Sequence, residues 1–206
     1  MPDENFVAGQ TDGDLNGPGP VLGVYIIVPK LPGRPDSPAP TGETTIRFID
    51  QPTLTESRTA RYQPESLLHA PESFNAYEGT DSREFQIEGK FFSQTEGDIE
   101  VNNQILHVMR SLVMPDYNKT GAPPTPVRLF AYGTKNIHSL PCLVKTYTMN
   151  YPNDVDYVVS NQTQGAVTMP IVFTLSLNLV EQHSVTELQK FSLDDFRAGT
   201  MVAKGF

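Results

Sequence analysis

A strand that leads straight into an amphipathic helix, over residues 84–117, constrains this chain more than any other stretch. In Glu84-Phe85-Gln86-Ile87-Glu88-Gly89-Lys90-Phe91-Phe92 the apolar Phe85, Ile87 and Phe91 share one parity, and Glu84, Gln86, Glu88 and Lys90 the other. Side chains alternate across a strand, so this spacing predicts one buried face and one wet face. Ser93 and Glu96 stand at capping-box spacing, which predicts a helix over about 96–113. Ile99, Ile105, Leu106, Met109, Leu112 and Val113 fall three, four and seven apart, along one helical stripe. Pro115 ends it.

A second long alternation closes the pattern. Ile171, Phe173, Leu175, Leu177 and Leu179 occupy one face of 171–179, with Val172, Thr174, Ser176 and Asn178 on the other. That is a strand laid over a core. Further strands are predicted at 24–28, apolar enough to be buried on both faces, and at 44–50, the two joined by a proline-rich loop at 31–40. Others are predicted at 127–132, at 140–151 with Tyr147, Met149 and Tyr151 alternating, and at 155–159. The fold class that results is mainly β, an antiparallel sandwich or half-barrel with one flanking helix.

Residues 51–83 lack either period yet carry Tyr62, Leu67, Leu68, Phe74 and Tyr77. Aromatic and leucine side chains are ordinarily held by a core or a partner. The stretch is therefore read as an extended arm or long hairpin packed on a neighbouring subunit, with those five residues at the interface. An irregular loop folded over its own domain is the alternative. Residues 1–20, polar and rich in Gly, Pro, Asp and Asn, read as a flexible arm, and 21–182 as the β domain. In 183–206, Ser184 with Glu187 and Ser192 with Gly199 frame two short helices.

The residues that could carry chemistry are sparse. Asp12 to Gly17 begins like a calcium loop, but Gly23 stands where the bidentate glutamate belongs. Cys142 is the single cysteine, which excludes an internal disulfide and a thiolate zinc site; it reads as a buried thiol, with His138 the nearest candidate base. His69, His107, His138 and His183 are scattered, and His107 is read as a packed or boundary residue of the helix. No catalytic residue, metal or cofactor is predicted. A net charge of −9 argues against gripping nucleic acid by its phosphates. With 38% hydrophobic residues and no apolar run of bilayer length, a soluble, non-secreted chain is expected.

The order of elements resembles a known family. The residues that carry the likeness are the Gly89 strand with its paired phenylalanines and the helix ending Arg110-Ser111 and Met114-Pro115-Asp116-Tyr117. Tyr132-Gly133, Leu140-Pro141-Cys142, Tyr151-Pro152-Asn153-Asp154-Val155-Asp156-Tyr157 and the 171–179 strand continue it. Residues 20–182 look like the tail-tube-like proteins at the baseplate centre of contractile-tailed bacteriophages, the tube initiators. The resemblance implies a structural virion protein, not an enzyme, assembled in the host cytoplasm as a hexameric ring between the baseplate hub and the tail tube. It also implies inner strands joined around a polar, acidic channel that DNA crosses without specific binding, a helix over the apolar face of the sheet, and no membrane. The main tail tube subunit is the alternative within the family, and a β-sandwich ligand-binding or adhesion module the alternative outside it.

Overall fold

The computed structural model describes residues 6–8, 23–29, 43–48, 50–66, 68, 71–115, 123–161 and 166–206. One eight-stranded sheet dominates it. Its strands are β1 (Phe6–Ala8), β2 (Val24–Val28), β3 (Thr44–Arg47), β4 (Thr53–Ser57), β7 (Glu84–Phe92), β8 (Val127–Ala131), β9 (Ile137–Asn150) and β12 (Val172–Glu181). In space they run β1-β3-β2-β8-β9-β12-β7-β4. Every pairing is antiparallel except β1 with β3. Two hairpins stand outside this sheet: β5 (Ala60–Glu65) with β6 (Phe74–Thr80), and β10 (Tyr157–Ser160) with β11 (Val167–Pro170). The helices are α1 (Glu96–Leu112), α2 (Val185–Leu188), α3 (Leu193–Arg197) and a final 3-10 turn, Val202–Lys204.

The sheet has to curl. Phe48, just after β3, lies 5.3 Å centroid to centroid from Phe91 of β7. In the strand order β3 and β7 are five spacings apart, about 24 Å in a flat sheet at ~4.8 Å per strand. The five residues 48–52 carry the chain from β3 to β4 at the far edge. At ~3.5 Å per step the six Cα–Cα steps from Arg47 to Thr53 reach about 21 Å, short of the roughly 29 Å that six flat spacings demand. Of the two architectures predicted, this is the half-barrel, one continuous sheet bent round a single core. Gly89 makes the closure tolerable: a Cβ there would stand 2.3 Å from Phe48 Cδ1 and 3.1 Å from Pro52 Cβ.

The core holds the predicted rows. Phe85, Ile87 and Phe91 of β7 and Phe173, Leu175, Leu177 and Leu179 of β12 are buried together with Val24, Ile26, Ile46, Leu129 and Leu140. From α1, Ile105, Met109 and Leu112 pack into the same core, whereas Ile99 and Leu106 meet Met169 of β11. The helix is thus gripped on two sides.

Several expectations are corrected. Thr95, not Ser93, caps α1: Thr95 Oγ1 accepts from Asp98 N at 3.2 Å, and Asp98 Oδ2 accepts from Thr95 N at 2.9 Å. Ser93 is unavailable because it still belongs to the sheet; its N–H donates to Ile171 O at 2.8 Å, and its Oγ accepts from buried Asn102 Nδ2 at 2.9 Å. The 24–28 strand is buried on alternate residues only, with Tyr25 and Ile27 half-buried on the second face. Within the expected N-terminal arm, Phe6–Ala8 pairs with β3. Residues 51–83 contribute β4 to the main sheet, and only the remainder projects as a hairpin. In β9 the buried parity changes from Leu140, Cys142 and Val144 to the partly buried Tyr147 and Met149. Lys145 is a bulge residue, since Leu179 opposes Val144 while Asn178 opposes Thr146. His107 is exposed rather than packed or at the boundary. The 31–40 loop, the Asp12–Gly17 stretch, Leu67 and His69 lie outside the described residues.

Candidate interaction surfaces

The β5–β6 hairpin is the outward continuation of the β4–β7 ribbon. Ser57 pairs with Glu84 at the sheet, and Ala60 pairs with Thr80 beyond it. Between them two residues, Arg58 and Thr59, face three, Asp81, Ser82 and Arg83, so the ladder is broken at one joint. Asp81 N donates to Thr59 O at 2.9 Å, Arg58 Nε to Asp81 O at 3.1 Å, and Arg61 Nε lies 3.2 Å from Asp81 Oδ1.

Past the joint the ribbon is exposed along its length. Tyr62 and Tyr77 are cross-strand partners with ring centroids 5.7 Å apart, and Tyr77 Oη shares a 2.6 Å hydrogen bond with Thr80 Oγ1. Phe74 opposes Glu65, three pairs further out, and so falls on the other face. Tyr62, Phe74 and Tyr77 are 59%, 62% and 61% exposed, and Leu68 at the tip is 90% exposed. Four of the five predicted interface residues are thus placed on one projecting ribbon. A two-stranded hairpin alone is at best marginally stable in water, and here it bears aromatic rings on both sides.

The wet face of the sheet is polar in register. Thr148, Ser176, Glu88 and Thr53 form one cross-strand row, and Thr146, Asn178, Gln86 and Thr55 the next. Charges there come in opposite signs, with Lys145 Nζ 2.9 Å from Glu84 Oε1. The acidity of the chain is not concentrated on this face. β4 sits at one edge of the sheet with β7 as its neighbour.

A buried polar cluster closes the end of the core beside the joint. The inward rows of β7 and β12 continue one step past Phe85 and Leu179 to Arg83 and Glu181, side chains 11% and 6% exposed. Arg83 Nε donates to Glu181 Oε2 and Nη2 to Oε1, each at 2.8 Å; Nη1 lies 3.5 Å from Glu56 Oε1 on β4. His183 Nε2 shares a further hydrogen bond with Glu181 Oε1, and its ring stacks on Phe206 at 4.1 Å. Burial alone would raise the Glu181 pKa; the hydrogen bonds and charges of Arg83 and His183 outweigh it and hold the carboxyl down at about 2. The Arg83 guanidinium is correspondingly raised despite burial, by Glu181 and Glu56.

Sequence reasoning missed this pair, although the signal was present. Period-two extrapolation of both apolar rows lands on residues 83 and 181, and opposite charges at inward positions identify a pair. Cys142 stands opposite Glu181 in the sheet, and burial, then the Glu181 charge, pushes its thiol up to about 12. It stays a protonated core residue at neutral pH. The His138 ring packs edge-on to Phe130 at 5.2 Å, and the charged groups acting on the thiol are Glu181 and Arg83.

Among the described residues no helix is long and apolar enough to cross a membrane, and no group of three or more His, Cys, Asp or Glu is placed to hold a metal ion. Compared with protein-family models the sequence finds no match, and compared with curated proteins it finds none either.

Proposed function

We propose that this chain is a structural subunit whose work is self-assembly: a ring of like copies at the centre of a phage baseplate, joining hub to tail tube and initiating the tube. The carrying observation is the β5–β6 ribbon, which presents aromatic side chains about 60% exposed on both of its faces. The number six and the virion setting come from the family resemblance.

Magnitudes support a closed ring over a loose pair. Covering the three arm aromatics, each about 60% exposed, removes roughly 300 Å² of apolar surface and is worth about 7 kcal/mol at ~25 cal/mol/Å². Association costs about 4–15 kcal/mol before any surplus appears. The arm alone therefore holds two copies weakly. A ring gives each subunit two interfaces and lets an edge such as β4 pair with a sister strand, which removes the open edge by closure.

The polar register of the wet face suits a bore that DNA crosses without adhering. It offers hydroxyl and amide groups with balanced charge, so non-sticking there rests on the lack of a basic patch more than on acidic repulsion.

The test is the mass and image of the purified chain. Six-fold rings with a central hole are expected. Long stacked tubes would assign it to the main tube subunit, and a stable monomer at high concentration would refute assembly and favour a ligand-binding or adhesion module.

A further inference from the structure

The arm and residues 183–206 come from separate parts of the chain, yet both are tied to Arg83. It forms the last residue of the broken joint at the root of the arm, and its guanidinium carbon lies 6.0 Å over the ring of Phe196, in the C-terminal extension. From Arg83 a closed circuit of contacts can be walked. It passes to Glu181, to His183, to the stacked Phe206, to Phe191 at 5.6 Å, to Phe196 at 5.6 Å and back to Arg83. The extension is seated at its far end as well. Met201 and Phe206 are buried, and Gly205, at φ +79°, comes so near β9 that a Cβ would stand 2.9 Å from Ser139 O.

We infer that the C-terminal extension is a clasp for the arm: docking of 183–206 locks the joint at 58–59 and 81–83, and release of one loosens the other. The joint needs such a lock. Two residues facing three leave a gap in the ladder, crossed by Asp81 N to Thr59 O and Arg58 Nε to Asp81 O; on its other side Arg83 is tied to β12, by Glu181 N to Arg83 O at 2.9 Å and by Arg83 N to Glu181 Oε2 at 3.3 Å. The bond from Arg83 N to Oε2 depends on the Glu181 carboxylate being fixed. With the extension in place, Phe196 and Phe206 keep water from the ion pair, which strengthens it. With the extension lifted, the carboxylate is hydrated, Arg83 loses the ring beneath it, and the root can hinge. Coupling of this kind is reciprocal, so an arm held by a partner also holds the extension.

Because the coupling resides in one chain, it is tested independently of any assembly, by hydrogen exchange on the full-length protein. In Phe206→Ala the amides of Phe196 and Ala198 in the extension should exchange faster, and those of Asp81 and Arg83 should rise with them by about tenfold, as local opening predicts. Leu175 and Leu177 in the middle of β12 should keep their rates. Faster exchange in the extension with Asp81 and Arg83 unmoved overturns the clasp. Should Phe206→Ala also release β12, Phe196→Leu decides, since it keeps apolar volume and removes only the ring face under Arg83. Parallel acceleration at the extension and the root then supports the inference, and acceleration confined to the extension refutes it.

Discussion

Two appendages of about twenty residues leave the same end of the half-barrel and have opposite fates. The extension at 183–206 contains three very short helical pieces and no strand, yet it buries Met201 and Phe206 and stacks His183 on the final aromatic ring. The arm at 60–80 has a regular ladder along most of its length, yet leaves Tyr62, Phe74 and Tyr77 in water. Regular hydrogen bonding therefore does not measure how much a segment contributes to the fold of a single chain. What separates the two is where the apolar side chains find neighbours. In the extension Phe196, Met201 and Phe206 find them on Arg83, β9 and one another, although Val185, Leu188 and Leu193 stay exposed; in the arm Tyr62 and Tyr77 meet each other and Phe74 stands on the opposite face. The extension belongs to the stability of the monomer, and the arm, in the proposed assembly, to what the monomer meets.

The comparison breaks first at Arg83. Arg83→Ala leaves Glu181 buried without its main partner, a change that typically costs about 3–5 kcal/mol. For a chain of this length that lowers the thermal midpoint by roughly 6–20 °C, measured by calorimetry or circular dichroism. A midpoint within 2 °C of wild type would show that the cluster contributes little to the fold. Phe206→Ala comes next. Truncating a buried aromatic costs about 3 kcal/mol where the site cannot collapse, and the denaturant midpoint should fall accordingly. If the extension were a loose tail, this variant would unfold with the parent.

Acid sharpens the same contrast without mutation. Glu181 has a folded pKa of about 2 against an ordinary value of 4.5, so the unfolded chain binds the extra proton between these values. The stabilisation it provides is complete above pH 4.5 and is lost as the pH falls from there towards 2. Arg83→Met lacks the larger source of the lowering, leaving that of His183, and should show a flatter stability profile across that window. Equal slopes in the two proteins would remove Glu181 from the account.

How much of this was legible beforehand depends on the kind of signal each part leaves. The β7 and β12 rows were readable because a two-residue period persists over nine residues or more, and one buried face enforces it. α1 was readable from its stripe, but its cap was misplaced by two residues: Ser93-x-x-Glu96 and Thr95-x-x-Asp98 both fit the motif, and only the ladder bond from Ser93 N to Ile171 O separates them. Lys145 hid the continuity of β9, since one bulge residue turns a single buried face into two half-patterns of opposite parity. β4 was missed because an edge strand paired on one side, with only Leu54 partly buried, carries almost no apolar alternation. The arm residues proposed for an interface were named from composition alone, and the curl of the sheet could not be read locally at all, since it rests on Phe48 meeting Gly89 and Phe91 across forty residues of chain.

The smallest expected effect on the monomer is also the most discriminating. Replacing Tyr62, Phe74 and Tyr77 together by Ser removes three rings that are about 60% exposed and rest on no core residue, so the stability of the single chain should move by no more than about 0.5 kcal/mol per site. Removing the Tyr62–Tyr77 contact itself forfeits about 0.5–1 kcal/mol of local hairpin stability, confined to residues beyond the joint. Assembly should behave oppositely: the roughly 7 kcal/mol of gross burial that the rings offer a sister copy disappears, and sedimentation should show monomer at concentrations where the parent forms rings. A triple variant that unfolds like Arg83→Ala would mean that the rings are covered within their own chain, and the distinction between the two appendages would collapse. One that stays folded and still closes into rings would keep the distinction between the appendages but move the interface to the open edge of β4.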